Sequence, residues 1–501
     1  MGTPRHEHRS IILVVCCMSL FIVSMAENAV NVALPSLSAD LQVPISGLQW
    51  TIDAYVLVVG SFLLLAGWTA DRIGRRRTFQ IGLTLFVLGS ALCSAAPSMG
   101  WLIVARMVQA LGGSMLSPVA MSIITNVFTE PRDRARAIGV WGGIAGLGMA
   151  LGPLVGGVLI ELAGWRSIFL INIPIGLCTL VASAIFIPES RSPRRRRFDI
   201  VGQLAMLTLL ACLISAVIEA PHAGWLSAQT LTLVGLAVAA TVVLVSYEPR
   251  RTDPLIEMRF FRSVPFSGAI VIAICAFGAY AGVLFLNTLY LQEVRGFTPL
   301  QAGLCTLPLA LMMALFAPIS GRVVGAYGPR PSLLVAGTMI CLGAVGLLGV
   351  GTDTPLVWVL LCYTAFGIGH GAVNAPITNT TVSGMPRSHA GVEAAVATTS
   401  RQVGTALGVA VVGSLLSTGM SGPLQTSFTS ANRPALLVII GFGLTVLTVG
   451  AITTSRRARA TTARVAHLFD DGSFHDGVAV SGVAVGSVTE PRGSSEPTLR
   501  G

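Results

Sequence analysis

The 501-residue chain is 53% hydrophobic and only 11% charged, with a mean hydropathy of +0.77; soluble domains carry about 25% charge, so this is an integral membrane protein. Spans need about 20 apolar residues each, so the length accommodates up to about fourteen helices with short connectors and no separate catalytic domain. All 32 basic residues are arginine, which excludes a Walker A lysine and a Schiff-base lysine, and the net charge of +10 is explained by cytoplasmic loops, not by nucleic acid, for which no soluble module is left.

Apolar stretches of about 19 residues or more begin near Ser10, Leu48, Thr78, Trp101, Ala137, Arg166, Ile200, Ala228, Phe266, Leu300, Ser332, Leu356, Glu393 and Pro434. Arg5 and Arg9 before the run from Ile11 look like a signal peptide, yet the run continues to Pro35 without a small-residue cleavage site, so a retained first span is expected. Assigned to alternate sides, 27 arginines fall on one side and three, Arg166, Arg295 and Arg433, on the other. A missed or invented helix would scramble this alternation. The span number is therefore even and both termini are expected in the cytoplasm. The seven tryptophans lie near span ends, as an interfacial belt requires.

The expected architecture is an all-α polytopic membrane protein of 14 transmembrane helices arranged 6 + 2 + 6. Residues 1–9 form the cytoplasmic N-terminus, 10–187 an N-terminal six-helix bundle and 188–198 a basic cytoplasmic loop. Residues 199–247 form a linker helix pair (spans 7 and 8), 248–263 a cytoplasmic loop, 264–454 a C-terminal six-helix bundle and 455–501 a mostly disordered cytoplasmic tail. The nine cysteines lie in or beside apolar runs without C-x-x-C spacing and the seven histidines are scattered, so neither disulfides, a metal site nor a cofactor is expected.

Several motifs stand out along the chain. Span one carries Glu27 and then Val-Asn31-Val-Ala-Leu-Pro35, and span two carries Trp50-Thr-Ile-Asp53-Ala-Tyr55. After span two comes Gly67-Trp-Thr-Ala-Asp71-Arg-Ile-Gly74-Arg75-Arg76, whose spacing returns after span ten as Gly321-Arg-Val-Val-Gly325-Ala-Tyr-Gly328-Pro-Arg330. Two halves joined by an extra helix pair produce this register. Parallel repeats of this kind place substrate between the halves near mid-membrane. Span four holds Arg106-Met-Val-Gln109-Ala-Leu-Gly112-Gly113. A buried arginine costs about 2.5–3.5 kcal/mol on insertion scales, so it should face an acid or a wet cavity, or else snorkel to the outer interface. Gln109 lies on the same face. Span five carries Gly148, Gly152-Pro153 and Gly156-Gly157, a helix face flattened for close approach, with a proline bend. Span six has Trp165-Arg166-Ser-Ile-Phe169-Leu-Ile-Asn172-Ile-Pro174, span twelve has His370 between two glycines, and span thirteen has Arg401-Gln402-Val-Gly404.

In this order, the motifs resemble those of the fourteen-span drug:proton antiporters of the major facilitator superfamily, over roughly residues 10–455. The resemblance implies the major facilitator fold in a cell membrane. It also implies that Gly67, Asp71, Gly74 and Arg75 form a gating loop favouring one access state, the alternative being a solvated basic loop. Gly148, Gly152, Pro153, Gly156 and Gly157 match the antiporter signature of exporters. One departure is clear: the family has an aspartate five residues before Asn31, whereas this chain has Ala26 there and Glu27 one place later, about 100° around the helix.

At 1.5 Å per residue, Glu27 lies about 12 Å and Asp53 about 9 Å below the external boundary, with Arg106 at similar depth. The expectation is a charge cluster of Glu27, Asp53 and Arg106 with one carboxylate exchanging a proton, its titration set near neutrality by burial and the arginine; the alternative is a static ion pair. Substrate-cavity candidates are Asn31, Gln109, Asn172, His370 and Gln402; packing is the alternative for His370, and helix–helix hydrogen bonding for Gln402. The expected activity is proton-coupled export of small amphipathic drugs or antibiotics, cationic or aromatic, by a monomer in the lipid bilayer. A dedicated exporter of one metabolite and a transport-inactive membrane sensor are the rivals.

Overall fold

The computed structural model of the chain describes residues 6–191, 199–251, 258–382, 390–420 and 424–455, together with Ala458 and Thr461. Among the described residues there is no strand. The fourteen long elements are α1 (His6–Leu41), α2 (Ile45–Ile73), α3 (Arg75–Ser94), α4 (Met99–Val127), α5 (Pro131–Ala163), α6 (Ser167–Phe186) and α7 (Ile200–Ala223). After these come α8 (Ala228–Tyr247), α9 (Val264–Val294), α10 (Pro299–Tyr327), α11 (Pro329–Gly346), α12 (Leu356–Val382), α13 (Ala390–Gly419) and α14 (Leu424–Thr453). Thirteen are long and apolar enough to cross a membrane, and α2, bent by 51° where Ile45–Leu63 meets Leu65–Ile73, makes the fourteenth.

Helix starts fall close to where the apolar runs begin, with two instructive exceptions. α14 starts at Leu424, ten residues before Pro434, because the polar stretch ahead of the proline continues the helix: Phe428 is buried there, stacked on Tyr290 of α9 at 5.7 Å. α5 starts at Pro131, a proline at the first helical turn, and its first turns carry the arginines 132–136. α1 also runs past Pro35 to Leu41. Proline removes one intrahelical donor, and next to that gap the Val32 carbonyl accepts from Gln292 of α9 at 2.8 Å.

Within the first half α1 packs on α5, α3 on α4 and α2 on α4; within the second, α9 packs on α13, α10 and α11 on α12, and α11 on α14. The pair α7–α8 lies outside both, with α7 against α2 and α13. A Cβ on Gly112 would run into the Phe86 backbone, and one on Gly89 into that of Gln109, so α3 and α4 touch backbone to backbone. The repeated motif has a structural counterpart. α2 passes into α3 through the single residue Gly74 (φ 115°), and α10 into α11 through Gly328 (φ 81°). Both angles lie in the left-handed region, where a side chain would be strained.

The halves meet on the side away from the arginine-rich loops. Gln49 of α2 donates to the carbonyls of Val409 and Ala410 on α13 (3.2 and 2.8 Å). A Cβ on Gly157 of α5 would sit 2.5 Å from the Pro299 oxygen of α10, and one on Gly303 of α10 would sit 2.6 Å from the Pro153 oxygen. Toward the basic side, Gly139, Gly142, Gly143 and Gly146 of α5 and Gly321 and Gly325 of α10 face open space. Among the described residues the halves are thus closed on the side away from the basic loops and open toward them, the side that the positive-inside rule makes cytoplasmic. The tail beyond Thr461, the arginines 194–197 and Arg387 lie outside the described residues.

Candidate functional site between the halves

A cavity of about 160 Å³ lies at mid-depth between the halves. One wall is Glu27, Asn28 and Asn31 of α1 with Ile52 and Val56 of α2; the other comes from Phe277 and Tyr280 of α9 and from Arg401 and Gln402 of α13. The one-residue shift read in the sequence now has a spatial meaning. Ala26 is packed into the core of the first half, whereas Glu27 stands on the cavity wall. A step of about 100° around α1 thus moves the acid from the bundle interior to the interface.

Glu27 lines the space together with Gln402 of the opposite half and lies within the field of Arg106. Arg106 itself is 1% exposed and is held by neutral groups. Its Nε donates to the Thr51 carbonyl (3.2 Å) and its Nη1 to Gln109 Oε1 (2.6 Å), while its guanidinium lies 4.1 Å from the Tyr55 ring centroid. Gln109 in turn donates to Ser90 (2.8 Å). No carboxylate comes within 4.0 Å of Arg106 among the described residues. Arg106 neither snorkels nor pairs; cation–π and hydrogen-bond partners disperse its charge.

Asp53 does not join this group. It is fully buried, and neither carboxylate oxygen has a hydrogen-bond partner. On α2 it lies within about 40° of Gln49 and Gly60 at 100° per residue, and both of those residues touch α13. Three residues before it, Trp50 donates to Glu219 of α7 (3.2 Å), so Asp53 lies toward the seam of α2, α7 and α13. The structure therefore brings Glu27 and Arg106 near one another and leaves Asp53 apart from both. Counting depth along the chain gave the three residues one level but not one azimuth.

Of the cavity candidates, Asn31 and Gln402 line the space. Gln109 lies behind it, positioning Arg106, and Asn172 is buried in α6, donating to the Ile168 carbonyl (3.2 Å). His370 is buried behind the aromatic wall, stacked on Tyr280 with centroids 4.5 Å apart and edge-on to Phe277 at 4.8 Å. Tyr280 also reaches across the interface to donate to Asn28 (3.2 Å). Neither Tyr280 nor Phe277 was marked by the sequence, since an aromatic residue inside an apolar run carries no signal of its own; Asn28 lay beside Glu27 as a hint.

The glycines of α5 divide by face. Gly148, Gly152 and Gly156 pack against Ser24, Asn28 and Ala29 of α1, within the same half. Of the motif, Gly157 and the Pro153 carbonyl meet the opposite half; at four-residue spacing a single stripe can face only one neighbour.

In the gating loop, Gly67 meets open space, and among the described residues Asp71 forms an ion pair only with Arg75 of its own loop, at 3.9 Å. The loop rests on the end of α6 instead: Arg75 N–H donates to the Ser190 carbonyl (2.9 Å) and Arg76 N–H to Glu189 (3.2 Å). Among the described residues no ion pair from Asp71 crosses to the second half. At the outer rim, Asp40 of α1 accepts from both Trp165 (2.9 Å) and Arg166 (2.8 Å) at the start of α6.

No cluster of metal-ligating side chains is found among the described residues. The sequence profile described as Major Facilitator Superfamily matches residues 16–409. "Multidrug resistance protein Stp" of Mycobacterium tuberculosis is 36% identical over 413 residues, covering 82% of this chain and 77% of its own. "Tetracenomycin C resistance and export protein" of Streptomyces glaucescens is 32% identical, covering 84% and 78%. Among solved structures, a bacterial homologue of the human lysosomal transporter Spinster aligns with a TM-score of 0.66 at 16% identity, over 92% of this chain and 99% of that one.

Proposed function

The chain belongs to the Major Facilitator Superfamily, in the fourteen-span branch that includes drug efflux and resistance proteins, and from that premise we propose that it exports amphipathic compounds in exchange for protons by alternating access. It is a multi-pass membrane transporter and not an enzyme. The observation that carries the proposal is Glu27, a carboxylate on the wall of the cavity between the halves, which Gln402 of the other half also lines. A proton arriving there from outside discharges the acid and weakens its hold on a donor or cationic group of the substrate. Loss of the proton to the cytoplasm restores that hold.

Vesicles with an imposed pH gradient and a fluorescent dye test this. Glu27→Gln is expected to lose gradient-driven transport at least tenfold, whereas Asp53→Asn, which does not line the cavity, is expected to remain coupled. Wild-type coupling in Glu27→Gln would sink the proposal. A second reading, a dedicated exporter of one compound, is supported by the relative named for tetracenomycin C alone. Susceptibility profiling over unrelated drugs separates the two: protection against one compound only favours the dedicated exporter.

A further inference from the structure

Among the residues lining the cavity only two carry charge, Glu27 on the first half and Arg401 on the second. They are not partners, since neither forms an ion pair among the described residues. Arg401 commits one nitrogen to Thr378 Oγ1 (3.0 Å), and its Nε has no partner. Beside it stands an aromatic wall: its guanidinium is 5.8 Å from the Phe277 centroid, and Tyr280 follows, backed by His370. A guanidinium on the wall of a cavity between membrane-spanning helices, with no anion paired to it, is costly. Its planar fork matches an oxyanion in two-point contact.

We infer that Arg401, with Thr378 and the Phe277–Tyr280 wall, is an oxyanion subsite, so that the preferred substrates are dipolar aromatic compounds with an acidic group at the end opposite the one that meets Glu27. This rests on the export reading above and narrows its substrate class. A carboxylate, acidic phenol or enol satisfies the subsite, and the flat body of the ligand lies along the aromatic wall.

Two dyes differing only in the acid test the subsite: rhodamine 110, a zwitterion, and rhodamine 123, its cationic methyl ester. Binding to the full-length purified protein in lipid nanodiscs is measured by fluorescence anisotropy. The wild type is expected to bind the zwitterion at least tenfold more tightly than the ester, Arg401→Gln to bring the two within twofold, and Arg401→Lys, which keeps the charge, to retain part of the preference. A merely structural role for Arg401 would weaken both dyes together and leave their ratio unchanged. No preference in the wild type, or an unchanged ratio in Arg401→Gln, overturns the subsite. Export in proteoliposomes is scored separately: binding with the expected preference but no gradient-driven export leaves the subsite standing and removes the export reading, whereas export without preference removes the subsite alone.

Discussion

Among the described residues Arg106 is the largest fully buried side chain, and its charge rests on neutral partners. Gln109 is the strongest of these, at 2.6 Å, and is itself fixed by Ser90. Replacing Gln109 by Leu would strip a charged donor of its acceptor and the Ser90 hydroxyl of its donor in one step. A hydrogen bond to a charged group contributes about 1.5–3 kcal/mol, so Gln109→Leu is expected to cost about 2–3 kcal/mol, read as a lower midpoint in denaturant titration of the solubilised protein. The outer pair Arg166–Asp40 is closer to an ideal ion pair at 2.8 Å, yet both side chains are more than 40% exposed. Arg166→Ala is accordingly expected to cost less than Gln109→Leu. A larger loss at Arg166 than at Gln109 would contradict this ordering. The Arg106–Gln109 pairing was legible in the chain, because three residues along a helix return to one face. The separation of Asp53 was not, because azimuth on α2 relative to α4 and α13 depends on how three helices pack.

At the scale of helices, the close contacts between the halves are made by small residues. Gly157 abuts the α10 backbone, and Gly303 abuts α5, on the outer side alone. An added methyl at Gly157 would stand 2.5 Å from the Pro299 oxygen and 2.9 Å from the Leu300 Cα, neither of which is the end of a flexible side chain. Gly157→Ala is therefore expected to open the outer side and, because the halves rock as bodies, to close the inner one. Spin labels at Gly143→Cys on α5 and Gly325→Cys on α10, where added atoms meet nothing within 4 Å, report this: their distance distribution should shorten in Gly157→Ala and remain as in the wild type in Gly139→Ala. An unchanged distribution in Gly157→Ala would show that the outer contact does not set the access state. The spans and the Gly74 and Gly328 joints were readable because hydropathy and positive-φ glycines leave marks in sequence. The partition of the α5 glycines between α1 and α10 was not, since Gly156 and Gly157 look alike until the neighbours of each are known.

For the whole molecule, the charge carried through one cycle follows from the two charged walls of the cavity. One proton entering in exchange for a departing cation moves no net charge, but exchange for a zwitterion moves one. The membrane potential contributes about 2.3 kcal/mol per elementary charge per 100 mV, roughly a fifty-fold concentration ratio. A potassium diffusion potential of about 100 mV, negative inside, imposed without a pH difference is thus expected to drive rhodamine 110 out of proteoliposomes and to leave rhodamine 123 no better exported than from protein-free ones. A pH gradient without a potential should drive both dyes. Equal responses of the two dyes to the potential would mean that their different charges are not what crosses with the proton, and the one-for-one exchange at Glu27 would fail with it. Glu27→Gln should abolish the potential-driven component for the zwitterion as well, because an uncharged wall that never binds the proton cannot couple its movement to the rocking of the halves.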